Sequence, residues 1–269
     1  MSDRVNRWYD MTGRVAVITG GTGRLARHYA IALSEVGANV VLVDLDQATC
    51  DEIAIELQAK FGTDPMGIKI DIAQKEEVVA GFAKVWEHYG HVDVLINNAA
   101  ANQLTVFDDK LVDFEDFPLE FWQDNLDVNL TGAFLCSQSA GKRMAEQGGG
   151  VILNIGSVYG VVACDQRIYG DTGINSSVAY ATTKSGILNF TRYLASYWQG
   201  KNIRVNCLSP GGVFNDQQEP FLSNYTSKTM LKRMADPDDL ASALLYLVSD
   251  ASKWVTGANL MVDGGWTAW

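Results

Sequence analysis

Val15-Ala-Val-Ile-Thr-Gly-Gly-Thr-Gly-Arg-Leu-Ala26 runs from a β-branched apolar segment, through three near-adjacent glycines, into a segment of helical period. Short apolar runs bounded by glycine read as buried strands, and apolar residues three and four apart read as one face of a helix. Glycines between the two allow a tight turn and let the backbone approach a pyrophosphate, which then sits on the helix N-terminus. Gly20 and Gly23 fit that role, with Thr22, Arg24 and Leu25 around them, while Ala26 stands where a third glycine would give the closest helix–strand contact. An ordinary βα turn also carries glycines, but the strand-turn-helix context favours a nucleotide site.

Outward from this turn the same alternation repeats along the chain. Apolar runs predict strands at 15–19, 39–43, 68–72, 92–96, 151–155, 203–208 and 259–262, and helical spacing predicts helices at 25–36, 47–60, 75–88, 119–146, 176–199 and 237–249. Strands that are continuously apolar are covered on both faces, and β-α alternation demands a parallel sheet with right-handed crossovers. The expected fold class is α/β, a doubly wound Rossmann fold with seven parallel strands and helices on both faces, in one domain over 1–269. The second predicted strand ends in Asp44, about twenty residues after the glycines, where a dinucleotide fold places an acidic residue on the adenosine ribose. A carboxylate there accepts hydrogen bonds from the ribose and repels a 2′-phosphate, which favours NAD over NADP. Asp44 could equally cap the next helix, and Arg24 could steady either a pyrophosphate or a 2′-phosphate.

Composition removes several other classes. The chain has 269 residues, is 47% hydrophobic and carries a formal charge of −11, a surface that repels nucleic acid and anionic membranes. The first residues lack the apolar core of a signal peptide, and no apolar run approaches the roughly 20 residues of a spanning helix. Cys50, Cys136, Cys164 and Cys207 are scattered with no C-x-x-C pair, which fits neither a zinc site nor a disulfide framework. His28, His88 and His91 fall on or beside predicted helices with no carboxylate cluster, so no metal is expected. The expectation is a reduced, cytoplasmic protein with no nucleic-acid or membrane partner.

Tyr180-Ala-Thr-Thr-Lys184 lies in the predicted helix 176–199. Positions four apart lie one above the other on a helix face, so phenol and ammonium share a side. A fixed cation nearby favours the phenolate and makes the tyrosine a usable proton donor and acceptor. Any amphipathic helix can carry this pair by chance, and it acquires meaning only beside nucleotide-binding and oxyanion partners.

Those partners are present, and in order. The glycine turn at 19–26, Asp71-Ile72, Asn97-Asn-Ala-Ala100, Asn129 in Val-Asn-Leu, Ser157, Tyr180 with Lys184, Ser209-Pro-Gly-Gly212 and Val262-Asp-Gly-Gly265 together resemble the short-chain dehydrogenase/reductase family over nearly the whole chain. The glycine turn departs from the usual TGxxxGxG pattern, Asn97-Asn-Ala-Ala100 replaces NNAG, and the usual threonine after the Pro-Gly pair is absent, with Phe214-Asn215 nearby. Ser157 and Tyr180 are 23 positions apart, where family members commonly have about a dozen.

The resemblance implies that Tyr180 exchanges a proton with a substrate oxygen while the cofactor exchanges a hydride with its carbon. Lys184 would lower the tyrosine pKa and hold the nicotinamide ribose, Ser157 would donate to the substrate oxygen, and Asn129 would anchor a water linking Lys184 to solvent. It implies cofactor contacts at Gly20, Thr22, Gly23, Arg24, Leu25, Asp44, Asp71, Ile72, Asn98, Ala99, Ala100, Tyr180, Lys184, Pro210, Gly211 and Val213. Three long polar segments, 101–117, 161–175 and 212–228, follow strands at the ligand-binding edge. Their side chains suit a substrate with many hydroxyls, with Ser157, Tyr180, Asn102, Arg167 and Asn215 as expected contacts and Arg167 as a grip for a carboxylate or phosphate. Within the family, 165–172 looks like reductases of flagellin-modifying sugars and nonulosonates, and more loosely like gluconate-type dehydrogenases. The expected activity is hydride transfer to or from a sugar, sugar acid or polyol; a non-sugar carbonyl reductase, a cofactor-retaining sugar epimerase and a non-catalytic NAD-binding regulator stay open. Family members are often tetramers built through the Tyr-bearing helix, and Phe190, Leu194, Tyr197 and Trp198 suit either such a dimer or tetramer face or the core.

Overall fold

The computed structural model of the chain describes residues 3–101, 106–107 and 110–269. In chain order the strands begin with β1 (Val15–Thr19), β2 (Asn39–Asp44), β3 (Met66–Lys69) and β4 (Val94–Asn97), and a two-stranded hairpin, β5 (Val106–Phe107) and β6 (Lys110–Leu111), follows. Then come β7 (Gly150–Ile155), β8 (Ile203–Pro210) and β9 (Asn259–Val262). The main sheet has seven strands in the order β3-β2-β1-β4-β7-β8-β9, every pairing parallel. The helices are α1 (Asp3–Tyr9), α2 (Arg24–Glu35), α3 (Gln47–Phe61), α4 (Lys75–Tyr89), α5 (Leu119–Leu126), α6 (Ala133–Gln147), α7 (Val178–Tyr197), α8 (Phe221–Lys228) and α9 (Pro237–Val248).

Two cores explain the continuous apolar strands. Ala16 and Ile18 of β1 join Val40, Leu42, Val94 and Ile96 beneath α2, α3 and α9, while Val15 and Val17 join Val41, Val43, Leu95 and Ile152 beneath α4, α6 and α7. Successive strand side chains point to opposite faces, so a strand covered on both sides must be apolar at every position. The chain winds from β1 outward to β3 and then returns to β4 on the other side of β1. The crevice at the carboxyl ends of β1 and β4 is therefore the switch point where such sheets bind ligands.

Several expectations change. The third strand is 66–69 rather than 68–72. Gly67 lets β3 lie against α3, where an added Cβ would come within 2.7 Å of the Cys50 carbonyl carbon. Beyond the strand, Ile70 and Ile72 turn inward as core plugs, occupying space that a Cβ at Gly81 or Gly132 would invade at 2.2 and 2.6 Å. The helix expected over 119–146 is interrupted by a π-helical segment, Asp127–Gly132, between α5 and α6. The polar segment 212–228 contains α8, and 161–175 contains a 3-10 stretch, Gln166–Thr172. Of the apolar face expected at Phe190, Leu194, Tyr197 and Trp198, Leu194 and Trp198 are in the core with Phe190 packed against it, whereas Tyr197 is exposed, as is Tyr193 beside it. Among the described residues no helix is long and apolar enough to cross a membrane.

Candidate active site

A groove of about 540 Å³ opens at the switch point. Gly20, Thr22, Gly23, Arg24, Leu25, Asp44, Asp71, Ile72, Asn98, Ala99 and Ala100 all line it, together with Val43, Leu45, Ile70, Ala101 and Val128. Gly20 has φ +66°, and a Cβ there would lie 2.9 Å from the Ala99 Cα; Gly21, not singled out in the sequence, lets β2 approach, with Leu42 Cα equally close to its absent side chain. Thr19, at the end of β1, accepts from the Asn98 and Ala99 N–H groups at 3.0 and 3.1 Å and so fixes the opposite wall. No side chain caps the N-terminus of α2, leaving first-turn N–H groups for an anion. The residues present therefore fit a dinucleotide.

Asp44 does not cap α3; Asp46 does, accepting from Ala48 and Thr49. Instead the Asp44 carboxylate accepts from the Thr22 N–H at 2.9 Å, the Thr22 hydroxyl at 2.7 Å and the Leu45 N–H at 2.7 Å. Those three bonds aim it across the groove and leave acceptor capacity on one oxygen.

On the other side of β4, Ser157 follows β7 and Tyr180 and Lys184 stand on the first two turns of α7. The Ser157 oxygen accepts from the Tyr159 N–H at 3.1 Å, and its hydroxyl lies near enough to the Tyr180 phenol to influence its ionisation. Gly160 makes this approach possible, since a Cβ there would be 2.6 Å from the Lys184 carbonyl oxygen. The long Ser157–Tyr180 spacing is thus absorbed by the turns between β7 and α7, and each residue is placed by its own element. Lys184 is buried and donates through Nζ to the Ile155 carbonyl at 2.7 Å, with Nζ 5.6 Å from the Tyr180 ring centre. Burial pulls the Lys184 amine down to about 8, with Cys207 opposing. Burial pushes the Tyr180 phenol above its ordinary value, the neighbouring Ser157 hydroxyl opposes this and Cys164 adds to it. The lowering of the phenol expected from Lys184 is not found: burial raises it, and the opposing influence is Ser157 rather than Lys184.

Asn129 lies in the π-helical segment, buried. Its amide donates to the Ala101 carbonyl at 3.0 Å and the Thr183 hydroxyl at 2.9 Å, and its oxygen accepts from the Ala101 N–H at 2.7 Å. Asn129 thereby ties the dinucleotide wall to the residue preceding Lys184, a connection through Thr183 that the sequence did not suggest.

The substrate-side residues are less convergent. Arg167 is largely exposed, its guanidinium held by Asp165 through Nε and Nη2 at 2.8 and 2.9 Å, while Lys228 reaches the same carboxylate. These two cations hold Asp165 well below the usual carboxylate range, Arg167 foremost. They rim a second cavity of about 540 Å³ with Cys164, Gln166, Trp266 and Trp269. Asn215 is exposed, and Asn102 lies outside the described residues. Pro210, Gly211 and Val213 lie at and just beyond the carboxyl end of β8 rather than among the groove-lining residues, and Gly211 meets the Asp263 backbone, 2.9 Å from where its Cβ would be. Among the described residues no group of three or more His, Cys, Asp or Glu could hold a metal ion, and the four cysteines are free thiols.

A family model described as adh_short_C2, Enoyl-(Acyl carrier protein) reductase, matches residues 23–267. The chain is 32% identical over 264 residues to the D-threitol dehydrogenase of Mycolicibacterium smegmatis, spanning 96% of this chain and 95% of the relative. It is also 32% identical over 264 residues to the NAD-dependent glycerol dehydrogenase of Listeria innocua, spanning 96% of each. A gluconate 5-dehydrogenase from Burkholderia cenocepacia, crystallised with NADP and tartrate, matches with a TM-score of 0.89 at 26% identity, covering 98% of this chain and 99% of that one. The chain belongs to the short-chain dehydrogenase/reductase family. It is therefore an oxidoreductase of alcohols and ketones that uses a nicotinamide cofactor.

Proposed function

We propose that this oxidoreductase is an NAD-dependent dehydrogenase of a secondary hydroxyl, or the matching ketone, on a small polyol, sugar or sugar acid. The bound nicotinamide supplies the hydride transfer itself. Tyr180 holds the transferable proton; burial keeps its phenol protonated at neutral pH, ready to be given to a carbonyl oxygen. Ser157, beside that phenol, steadies the same substrate oxygen, so the two hydroxyls fix its position. Lys184 keeps a positive charge below pH 8 beside the ring, which favours the negative charge that develops on the phenol as it gives up its proton, and the phenolate that takes a proton in the reverse direction. Asn129, through Thr183 and Ala101, holds this helix against the cofactor wall.

The cofactor preference rests on Asp44, aimed by Thr22. Asp44→Ala is expected to lower the NAD-to-NADP ratio of kcat/KM at least tenfold, about 1.4 kcal/mol, because both the ribose acceptor and the repulsion of a 2′-phosphate go. A wild-type enzyme that prefers NADP would mean that Arg24 decides the choice, and would sink this part of the reading.

The polyol assignment is carried by the near full-length likeness to threitol and glycerol dehydrogenases. The loops add less than their composition suggests, because many polar side chains serve their own backbone. Gln166 accepts from Ser176 N–H, Thr172 donates to the Tyr169 carbonyl and Gln217 to that of Val213. Arg167 remains the proposed grip for an acidic substrate, taken over from Asp165. Arg167→Ala should raise KM for sugar acids at least fivefold while leaving kcat, and KM for uncharged polyols, nearly unchanged. Equal effects on both substrate classes would remove Arg167 from recognition. Behind the rim, Val158, Ile168, Tyr225 and Trp266 form an apolar cluster, which favours a second reading, a non-sugar carbonyl substrate. Steady-state assays with polyols and steroid or acyl ketones side by side separate the two.

Self-association belongs to the same proposal. Phe134, Tyr193 and Tyr197 leave an exposed aromatic face on α6 and α7, bordering a cavity of about 810 Å³. A second copy of the chain is its proposed occupant, giving a dimer or tetramer, with the cytoplasm as the proposed compartment for its free thiols.

A further inference from the structure

Arg24 is the first residue of α2, on the rim of the dinucleotide groove and at a position that is glycine in the usual TGxxxGxG pattern. A long cationic side chain at this point needs an explanation from the molecule around it. Its guanidinium leaves the glycine turn and donates through Nη1 to the Phe214 carbonyl, 190 positions away in sequence. A guanidinium has five N–H donors in a fixed fork, and among the described residues Phe214 is the acceptor for one of them. The remaining donors stand beside the uncapped N-terminus of α2, where an anion is favoured.

Phe214 begins the segment that leads to the substrate side. Its N–H donates to the Ala235 carbonyl at 2.9 Å, the Asn215 N–H to Gln217 Oε1 at 2.6 Å, and the Gln217 amide to the Val213 carbonyl at 3.0 Å, so 213–217 is a folded base. From that base the chain enters α8. There Asn224 donates to the Ile168 carbonyl at 3.2 Å and Lys228 pairs with Asp165, both on the stretch that links Ser157 to Tyr180. A continuous line of contacts therefore runs from the glycine turn to the wall beside the proton donor.

We infer that Arg24 is a clasp: the pyrophosphate of a bound dinucleotide and the Phe214 carbonyl share its guanidinium, so cofactor binding fixes 213–219 and, through α8, the substrate wall. Arg24 is then a positioning residue, and substrate binding is favoured once the cofactor is in place. By linkage, substrate raises cofactor affinity by the same factor. The inference rests on the dinucleotide reading of the groove and not on which alcohol is oxidised.

Amide hydrogen exchange on the whole protein tests it, with ADP-ribose as the pyrophosphate-bearing probe and AMP as the probe without one. In the wild type, ADP-ribose should slow exchange at 20–25 and also slow 213–219 at least fivefold, whereas AMP should leave 213–219 unmoved. Arg24→Ala, an exposed substitution, should exchange 213–219 at least threefold faster than wild type with no ligand, and ADP-ribose should not restore it. Slowing at 20–25 without slowing at 213–219 overturns the clasp alone. No slowing at either site overturns the clasp together with the dinucleotide reading. Ligand-free exchange in Arg24→Ala equal to wild type also overturns the clasp, whatever the ligand does.

Discussion

Tyr180→Phe is expected to lower kcat at least a thousandfold in both directions, about 4 kcal/mol in barrier, while the dissociation constant for NAD stays within about threefold. The substitution removes one oxygen, and with it the transferable proton. It leaves the ring that Lys184 faces at 5.6 Å and does not touch the glycine turn or Asp44. An effect confined to kcat is the pattern of a group that acts in the transition state, not in cofactor binding. Stopped-flow single turnovers, with cofactor binding followed by fluorescence, separate the two quantities. Residual turnover within tenfold of wild type would take Tyr180 out of the mechanism.

Lys184→Met should lose at least a hundredfold in kcat and yet fold as stably as the wild type at pH 7. The amine is fully buried in the core of the site, and its folded pKa of about 8 lies below its ordinary 10.5. A depressed lysine pKa means that the folded state disfavours the charge. That penalty is present in full below pH 8 and disappears as pH rises towards 10.5. A shift of this size corresponds to roughly 3 kcal/mol, which Met would recover. Against it stands the Ile155 carbonyl left without a donor, which costs about 1–3 kcal/mol. The wild type should therefore gain on the variant between pH 8 and 10.5 in denaturant titrations. An active variant, or one whose stability deficit is constant with pH, would show that Lys184 is held for packing and not for charge.

How much was legible depended on whether a feature is decided locally. Gly20, Asp44 and the Tyr180–Lys184 pair are signals within one turn or one strand end, and the structure puts them where their spacing implied. The break at Asp127–Gly132 was not readable, because the Asn129 bonds that accompany it run to Ala101 and Thr183 in distant elements. Ile70 and Ile72 looked like strand because apolar runs carry no mark of where a ladder ends. The polar segments looked like substrate contacts because composition does not reveal that Gln166 and Gln217 serve backbone groups. The raised phenol of Tyr180 came from burial, which no spacing reports.

The proposed reaction is oxidation of a hydroxyl of a small polyol or sugar acid with NAD. Initial rates of reduced-nicotinamide formation, measured with NAD and with NADP against tetritols, glycerol and aldonic acids and against steroid and acyl substrates, address it most directly. Clear turnover of at least one polyol or sugar acid is expected, faster with NAD, and abolished by Tyr180→Phe. Efficient turnover of steroid or acyl ketones with no activity on any polyol or sugar acid would contradict it.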